Sequence, residues 1–230
     1  MIKPYYETKL GKLYHGDSLV ILNELPPIEL CITDPPYGID YQSAWRSDKK
    51  DWKDKIHGDK KYPMWVFDIK PKNALFVFCR WDNLKEIPMP KSFIVWDKMC
   101  HSMGDLNHEF GRQWEGISFY PGDQHEFIHR PVDVIRCPKV PPERLIHPNQ
   151  KPLGVFYPII KTHSGMVFDL FVGSGSLPIA CERLNRKWIG IEIEEKYCEI
   201  AAKRIEGNLT VMERIERSEK GITKKTGLLF

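Results

Sequence analysis

The stretch Met166–Ser176 reads MVFDLFVGSGS, and it decides the fold. Its first six residues, ending at Phe171, have the apolar composition of a buried strand. Gly173 and Gly175 follow in a turn where the backbone can approach a ligand closely, with a helix N-terminus just behind. A strand, a glycine turn and a helix in this order are typical of nucleotide-binding α/β folds.

The next apolar stretch, Trp188–Ile191, ends in Glu192. An acidic residue about 20 residues beyond the glycine turn binds ribose hydroxyls in such folds. The full dinucleotide fingerprint requires a further glycine where this chain has Pro178. The pattern therefore disfavours a nicotinamide-dependent dehydrogenase and leaves other adenosine-containing cofactors open.

Apolar runs and helix-like stretches alternate along the rest of the chain, which predicts an α/β layered fold. The predicted strands are Leu30–Thr33, Ala74–Cys79, Phe93–Trp96, Glu126–His129, Met166–Phe171 and Lys187–Glu192. The predicted helices are Met64–Ile69, Leu153–His163, Ser176–Leu184 and Glu195–Ile205. We expect one catalytic domain over residues 1–206 and a frayed tail over 207–230. Six prolines in residues 131–152 predict an extended surface connector.

Composition excludes several classes of protein. The 230 residues carry a formal net charge of +3, and 42% are hydrophobic, which is ordinary for a globular protein. The longest apolar run, Ala74–Cys79, is far shorter than the roughly 20 residues of a membrane span, and the N-terminus lacks an apolar signal-peptide core. The six cysteines show no close pair and no zinc-ligand spacing, so we expect reduced thiols, no metal site and a cytoplasmic protein. Cys31 and Cys79 lie in apolar runs and are predicted to be core residues.

A second constellation, Asp34-Pro35-Pro36-Tyr37, directly follows the predicted strand Leu30–Thr33. Because neither proline can donate an amide hydrogen, the turn offers a carboxylate, carbonyl acceptors and one aromatic face. Such a site accepts hydrogen bonds from a planar amine and stacks on its ring. The alternative is a proline turn that only ends the strand, with Tyr37 packed against it.

Together the two constellations resemble the S-adenosylmethionine-dependent DNA methyltransferases that modify amino groups. The segments Phe93–Lys98, Gln124–Ile128, His147–Pro152 and Ile189–Glu192 are also similar to that family, and the resemblance covers about residues 11–206. The catalytic motif precedes the cofactor motif, as in the beta group of the family. The resemblance implies a Rossmann-like α/β methyltransferase fold, with a central, mostly parallel sheet and helices on both faces.

The resemblance also implies S-adenosylmethionine as the cofactor. The residues that would contact it are Asp17 at the adenine, Glu192 at the ribose, Asp169, Gly173, Ser174, Gly175 and Ser176 at the methionine end with Phe171 beside them, and Asn149 and Lys151 near the carboxylate. Ser176 stands where threonine is usual in the family, and Asn149 where threonine is frequent.

By the same resemblance, Asp34 and the Pro35 carbonyl accept the two N–H bonds of an exocyclic amine, and Asp34 stabilises the positive charge that develops on the nitrogen. Pro36 belongs to the same catalytic turn, and Tyr37 stacks on a base flipped out of duplex DNA. An aspartate in this position is similar to the adenine-N6 type. Cytosine N4 is the alternative acceptor, and an RNA or protein side-chain amide is a further one. The resemblance leaves open a homodimer and a restriction endonuclease partner.

Residues 42–62 carry seven Lys or Arg against four Asp, interleaved with aromatic residues. Such a segment suits a polyanion with exposed bases, although a solvated loop is the alternative. Because the segment leaves the catalytic turn, it is predicted to contact DNA through Trp45, Lys49, Lys50, Lys53 and Lys55. The connector 131–146 is the second candidate for target recognition, through Arg136, Lys139 and Arg144.

Overall fold

The computed structural model describes residues 2–40, 58–101, 107–108, 110–145 and 150–226. Within these residues nine strands form one sheet: β1 (Tyr6–Glu7), β2 (Gly11–His15), β3 (Leu30–Thr33), β4 (Ala74–Cys79), β5 (Ser92–Asp97), β6 (Trp114–Pro121), β7 (Val134–Arg136), β8 (Val167–Asp169) and β9 (Trp188–Glu192). Their order across the sheet is β1-β2-β9-β8-β3-β4-β6-β5-β7.

Helices cover both faces of the sheet. The α-helices of the described residues are α1 (Ser18–Ile21), α2 (Leu153–Ile160), α3 (Ser176–Arg183) and α4 (Glu195–Thr226). Short 3₁₀ helices span Leu22–Glu24, Met64–Asp68, Trp81–Lys85 and Pro142–Arg144. Side chains of α2, α3 and α4 form the core on one face, and side chains of α1 and the 3₁₀ helix Met64–Asp68 contribute to the core on the other.

The strands at the centre of the sheet run parallel. Within the series β2-β9-β8-β3-β4, each strand runs parallel to the next. β6 runs antiparallel to β4 and β5, and β1 runs antiparallel to β2. This arrangement confirms the predicted α/β fold with a mostly parallel sheet. Because the carboxyl ends of parallel strands lie at one edge of a sheet, the segments after β3, β8 and β9 meet there.

Burial on both faces explains why the central strands read as continuous apolar runs. In β4 every residue is buried, and alternate side chains belong to opposite cores: Ala74, Phe76 and Phe78 to one, and the residues between them to the other. Cys31 and Cys79 are fully buried, which confirms them as core residues. All six cysteines are free thiols. Across the described residues, the helices are all too short or too polar to cross a membrane.

The predicted strand Glu126–His129 is wrong. The strand of this region is β6, which ends five residues before Glu126 and lies between β4 and β5. Phe127 owes its apolar environment to ring contacts with His125, Phe119 and His163 instead of to a strand. The apolar residues of this segment therefore pack through their side chains and do not form a strand.

Two further predictions need correction at the level of secondary structure. The connector contains β7, which pairs in parallel with β5, so it is not extended surface chain throughout. Helix α4 continues past residue 207, where a frayed tail was predicted. The reason is tertiary contact: Arg183 Nε of α3 donates to Asn208 Oδ1 at 2.7 Å, and Leu209 packs against the core.

His163 forms a buried polar contact beneath the sheet and is 1% exposed. The Thr162 hydroxyl donates to the Ile159 carbonyl, so His163 Nδ1, 2.7 Å from Thr162 Oγ1, is a donor. Neutral His163 Nε2 then accepts from His125 Nδ1 at 2.8 Å. Burial, with smaller contributions from His125 and Arg186, lowers the pKa of His163 to about 4.

This lowered pKa predicts a loss of stability in acid. An unfolded histidine has a pKa of about 6.5, so the unfolded chain binds the proton more readily between about pH 6.5 and about pH 4. The stabilisation is fully present above this window and is lost as the pH falls through it. Urea unfolding of the wild type and His163→Gln should show a difference in unfolding free energy that is roughly 2 kcal/mol smaller at about pH 4.5 than at about pH 7.

The exposed residue His129 offers a matched control. His129→Gln should leave the pH dependence of unfolding unchanged. Equal differences between the wild type and His163→Gln at both pH values would contradict the lowered pKa.

Candidate active site

The predicted catalytic turn, Asp34–Tyr37, begins where β3 ends. Gly38, which follows Tyr37, has a φ of 76°, and a Cβ there would lie 2.5 Å from the Tyr62 backbone nitrogen. Glycine is therefore required on both conformational and steric grounds. Asn83 Nδ2 donates to the Tyr37 carbonyl at 3.0 Å, and the Gly38 amide donates to Asp59 Oδ1 at 2.7 Å. These contacts hold the turn from both sides.

Both oxygens of the Asp34 carboxylate have partners from the chain itself. The Tyr37 hydroxyl donates to Oδ1 at 2.8 Å, and Lys151 Nζ donates to Oδ2 at 2.6 Å. Burial raises the pKa of Asp34, and the Lys151 ammonium opposes that shift. The two carboxylates beside Lys151, those of Asp34 and Glu115, raise its pKa against the effect of burial, so the ammonium is retained.

Glu115 of β6 completes this group, although the sequence analysis did not single it out. Its Oε2 lies 3.3 Å from Lys151 Nζ and 3.1 Å from the Tyr37 hydroxyl, and its Oε1 lies 3.3 Å from Lys98 Nζ. Burial acts to raise the pKa of Glu115, but the two ammonium groups outweigh it and lower the pKa to about 2. We call the set Asp34, Tyr37, Lys98, Glu115 and Lys151 the Asp34 cluster. It contains two carboxylates and two ammonium groups.

Asp169 lies beside this cluster, at the end of β8. Its Oδ1 accepts from Thr33 Oγ1 at 3.3 Å, although the two residues are 136 positions apart, and from the Phe171 amide at 3.2 Å. Burial is the main cause that raises the pKa of Asp169 to about 8, and the carboxylate of Asp34 adds to the shift. The parallel pairing of β3 and β8 thus joins the two sequence motifs.

The glycine turn between β8 and α3 has two left-handed residues, Gly173 with φ 51° and Gly175 with φ 82°. A Cβ on Gly175 would lie 3.0 Å from Ala201 Cβ, so the turn packs closely against α4, whereas a Cβ on Gly173 would face open space. Arg204 of α4 donates to the Ser174 carbonyl. In the described part of the chain, the buried Ser176 Oγ is without a hydrogen-bond partner.

Glu192 ends β9 and faces the glycine turn. Its Oε2 accepts from the Gly173 amide at 2.7 Å, and its Oε1 accepts from the Glu194 amide at 2.9 Å. Burial raises the pKa of this carboxyl group. The backbone amides therefore fix the orientation of a buried acid next to the turn.

A cavity of about 380 Å³ connects the catalytic turn with the glycine turn. This volume lies in the range of small-molecule sites, about 300–1,000 Å³. Most of the predicted catalytic and cofactor residues line it: Asp34, Pro35, Pro36, Tyr37, Lys151, Asp169, Phe171, Gly173, Ser174, Ser176 and Glu192. The structure therefore brings the two predicted halves of the site together around one space.

Other predicted site residues lie elsewhere. Asp17 does not line the cavity; its carboxylate caps α1 by accepting from the Leu19 amide at 2.8 Å. Gly175 supports the turn from behind. Arg136 is exposed and lies 3.8 Å from Asp97. Arg136, Lys139 and Arg144 do not line the cavity. Asn149, Trp45, Lys49, Lys50, Lys53 and Lys55 lie outside the described residues.

The opening of the cavity carries residues that the sequence analysis missed: Arg80, Trp81, Arg112 and Trp114. Trp81 is 53% exposed, and the Arg112 guanidinium carbon lies 5.7 Å from the centre of its ring. Arg80 holds Asp82 through two hydrogen bonds of 3.0 and 2.8 Å. No sequence motif marks these residues. They lie at or next to the ends of β4 and β6, and only the order of strands in the sheet brings them near the catalytic turn. We call these four residues the cavity rim.

Comparison with known proteins agrees with this geometry. A family model described as DNA methylase matches residues 128–203. The chain is 27% identical to the Type II methyltransferase M.ScaI of Streptomyces caespitosus, over 89% of this chain and 84% of that protein. It is also 27% identical to the Type II methyltransferase M2.DpnII of Streptococcus pneumoniae, over 90% of this chain and 93% of that protein.

Solved structures share the fold. The M1.HpyAVI–SAM complex is 24% identical, with a TM-score of 0.62 over 85% of this chain and 100% of that one. The cytosine-N4-specific PvuII DNA methyltransferase is 17% identical, with a TM-score of 0.63 over 93% of this chain and 95% of that one. The family match over residues 128–203 and the Type II relatives support assignment of the chain to the N6-adenine/N4-cytosine DNA methyltransferase family.

Proposed function

We propose that this protein transfers a methyl group from S-adenosylmethionine to an exocyclic amino group of duplex DNA, with adenine N6 as the acceptor. One observation carries the proposal: the Asp34–Tyr37 turn and the glycine turn with Glu192 line the same cavity. An acceptor amine at Asp34 and a donor at the glycine turn would therefore meet inside it. The M1.HpyAVI structure, solved as a complex with SAM, supports the choice of cofactor.

The residues around the glycine turn fit this cofactor. The buried Ser176 hydroxyl is available to hydrogen-bond a ligand, the space over Gly173 is open, and Glu192 presents a buried carboxylate at the ribose position of the motif. When bound, S-adenosylmethionine supplies an electrophilic methyl group on a sulfonium. The turn and Asp169 would hold its methionine end, and Glu192 would hold its ribose.

The chemical difficulty lies in the acceptor amine, whose lone pair is delocalised into the aromatic ring of the base. Asp34 and the Pro35 carbonyl accept its two N–H bonds and draw the nitrogen toward tetrahedral geometry. Asp34 also stabilises the positive charge that develops on the nitrogen, and the shared cavity supplies proximity. A base inside the duplex cannot reach this site, so it must be flipped out, with Tyr37 against it.

The choice between adenine and cytosine rests on Asp34. An aspartate before Pro-Pro-Tyr is similar to the adenine-N6 type, whereas the likeness to a cytosine-N4-specific enzyme concerns the fold. To test the assignment, methylation-free duplex DNA is incubated with the protein and S-adenosylmethionine, and its nucleosides are analysed by mass spectrometry. We expect N6-methyladenine; N4-methylcytosine would instead assign the second acceptor, and the absence of both would overturn DNA methylation.

The partners follow from the same proposal. Duplex DNA is the substrate, and the cavity rim contacts it because Arg and exposed aromatic groups bind phosphates and bases. A restriction endonuclease partner and a homodimer stay predictions. So do the DNA contacts of residues 42–62 and of the connector.

Substitution of Asp34 tests the separation of the two halves of the cavity. Asp34→Ala should lower the methyl-transfer rate by roughly 10²–10³-fold, as removal of a group aimed at developing charge does. Calorimetry should show S-adenosylmethionine affinity within about twofold of the wild type, because Asp34 acts on the amine. Parallel losses of affinity and rate would assign Asp34 to the cofactor instead.

Glu192→Ala should have the opposite effect, a loss of cofactor affinity. Loss of charge-assisted bonds to the ribose, worth roughly 1.5–3 kcal/mol, should weaken cofactor binding about 10- to 100-fold. Glu195→Ala, at an exposed position of the following helix, is the matched control and should bind the cofactor normally. Undiminished affinity in Glu192→Ala would refute the ribose assignment.

A further prediction concerns the cavity rim. Arg112→Gln should weaken DNA binding and reduce the slope of log K against log salt by about 0.9, the value for one phosphate contact. Trp81→Ala should weaken binding through lost stacking by roughly 1–3 kcal/mol and leave the slope unchanged. Filter binding or fluorescence anisotropy across a salt series measures both quantities.

Arg136→Gln, on the connector, serves as the comparison. Because the connector is itself predicted to contact DNA, this variant should also weaken DNA binding and reduce the salt slope by about 0.9. If Arg136→Gln reduces affinity and slope while Arg112→Gln does not, the DNA contact belongs to the connector and not to the cavity rim.

A further inference from the structure

Lys151 donates to the carboxylate that would also accept the N–H bonds of the proposed acceptor amine. Its Nζ donates to Asp34 Oδ2 at 2.6 Å, and the Tyr37 hydroxyl donates to the other oxygen at 2.8 Å. An ammonium and an exocyclic amine are both N–H donors to a carboxylate. A carboxylate has about four lone-pair sites, so the amine can reach Asp34, but it would then lie beside an ammonium that holds one site of Oδ2 and repels the positive charge that develops on the nitrogen.

Glu115 offers the Lys151 ammonium a second carboxylate within reach. Its Oε2 lies 3.3 Å from Lys151 Nζ, so the ammonium can leave Asp34 and keep an ionic partner. This matters because Lys151 is buried, and an unpaired buried charge is strongly destabilising. Lys98, 3.3 Å from the other oxygen of Glu115, holds that carboxylate in place.

We propose that Lys151 competes with the acceptor amine for Asp34 Oδ2 and that Glu115 accepts the Lys151 ammonium when the amine binds. Both are positioning residues, because they act through Asp34. The inference deepens the proposed function and rests on it. It also moves Lys151 from the cofactor carboxylate, where the resemblance places it, to the amine.

The exchange has an electrostatic purpose at each stage. Before the amine binds, the ammonium opposes the rise in the pKa of Asp34 that burial causes. During transfer, a cation at hydrogen-bonding distance would oppose the positive charge that grows on the acceptor nitrogen. Moving the ammonium to Glu115 lengthens that distance, while the Tyr37 hydroxyl, 2.9 Å from Lys151 Nζ, stays between the two carboxylates.

Several titratable or charged groups lie around Asp34 or line the same cavity. The groups that interact electrostatically with Asp34 are Tyr37, Tyr62, Cys79, Glu115, Lys151 and Asp169. Lys98 lies behind Glu115, and Asp59, Arg80 and Arg112 line the cavity wall. Lys151 contacts Asp34 directly and is the cation whose removal changes its ionisation most.

The test measures Asp34 directly and then measures activity. Carboxyl ¹³C NMR titration of the full-length chain, without cofactor or DNA, gives the pKa of Asp34 in the wild type, Lys151→Met and Glu115→Gln. Loss of the neighbouring cation should raise that pKa by about 1–3 units. Loss of the neighbouring carboxylate should lower it by about 1 unit, because a like charge is removed.

The pH dependence of methyl transfer should follow these shifts. Lys151→Met should have its acid limb at higher pH and regain activity above it, with S-adenosylmethionine affinity within about twofold of the wild type. Glu115→Gln should have its acid limb at lower pH and a raised KM for DNA, because the ammonium has lost its alternative partner. A purely structural role would not move the two limbs in opposite directions.

The outcomes that overturn the inference are distinct from failure of the proposed function. An enzyme active on DNA in which Lys151→Met leaves the Asp34 titration unchanged, or loses cofactor affinity tenfold, contradicts the exchange alone. A protein that shows both NMR shifts but methylates neither base overturns the proposed function, and the exchange with it. Lys151→Gln, which keeps N–H donors without the charge, carries the same expectation should Lys151→Met fail to fold.

Discussion

The parallel pairing of β3 with β8 is the constraint on which the site depends. Leu30 pairs with Val167 and Cys31 with Phe168, so the two strands end side by side. Each strand leads into a turn that cannot be a regular element, one because of its prolines and the other because of its glycines. A single register therefore places a carboxylate-bearing turn next to a glycine turn, and the cavity forms between them.

Charge balance is the second condition for this cavity. Asp34, Asp169, Glu115 and Glu192 bring four carboxyl groups to one region, and burial acts to raise the pKa of each of them. The chain compensates in different ways. Lys151 and Lys98 neutralise the acids of the Asp34 cluster, backbone amides bind Glu192, and Asp169 stands at a raised pKa of about 8. The half of the cavity at the Asp34 turn is therefore ionic, and the half at the glycine turn relies on backbone donors.

Sequence reasoning succeeded where a residue acts through its immediate neighbours. The six-residue β4, the strand of the catalytic turn and the strand–turn–helix unit around Gly173 carry their own local signals. It failed where packing decided the outcome. The Phe127 segment resembled a strand because its ring packs beneath the sheet, and α4 extends past residue 207 because Asn208 and Leu209 find partners.

The sequence by itself determined the chemistry on offer: an acid followed by two prolines and a tyrosine, a glycine turn after a buried strand, and an acid at the end of the next strand. Only the tertiary structure decided which charges these groups meet. Glu115 reaches the Tyr37 hydroxyl and Lys151 beside Asp34 because β6 inserts between β4 and β5. Lys151 reaches Asp34 from more than a hundred residues away. Strand order is set by the burial of two whole faces of the sheet, and no local pattern records it.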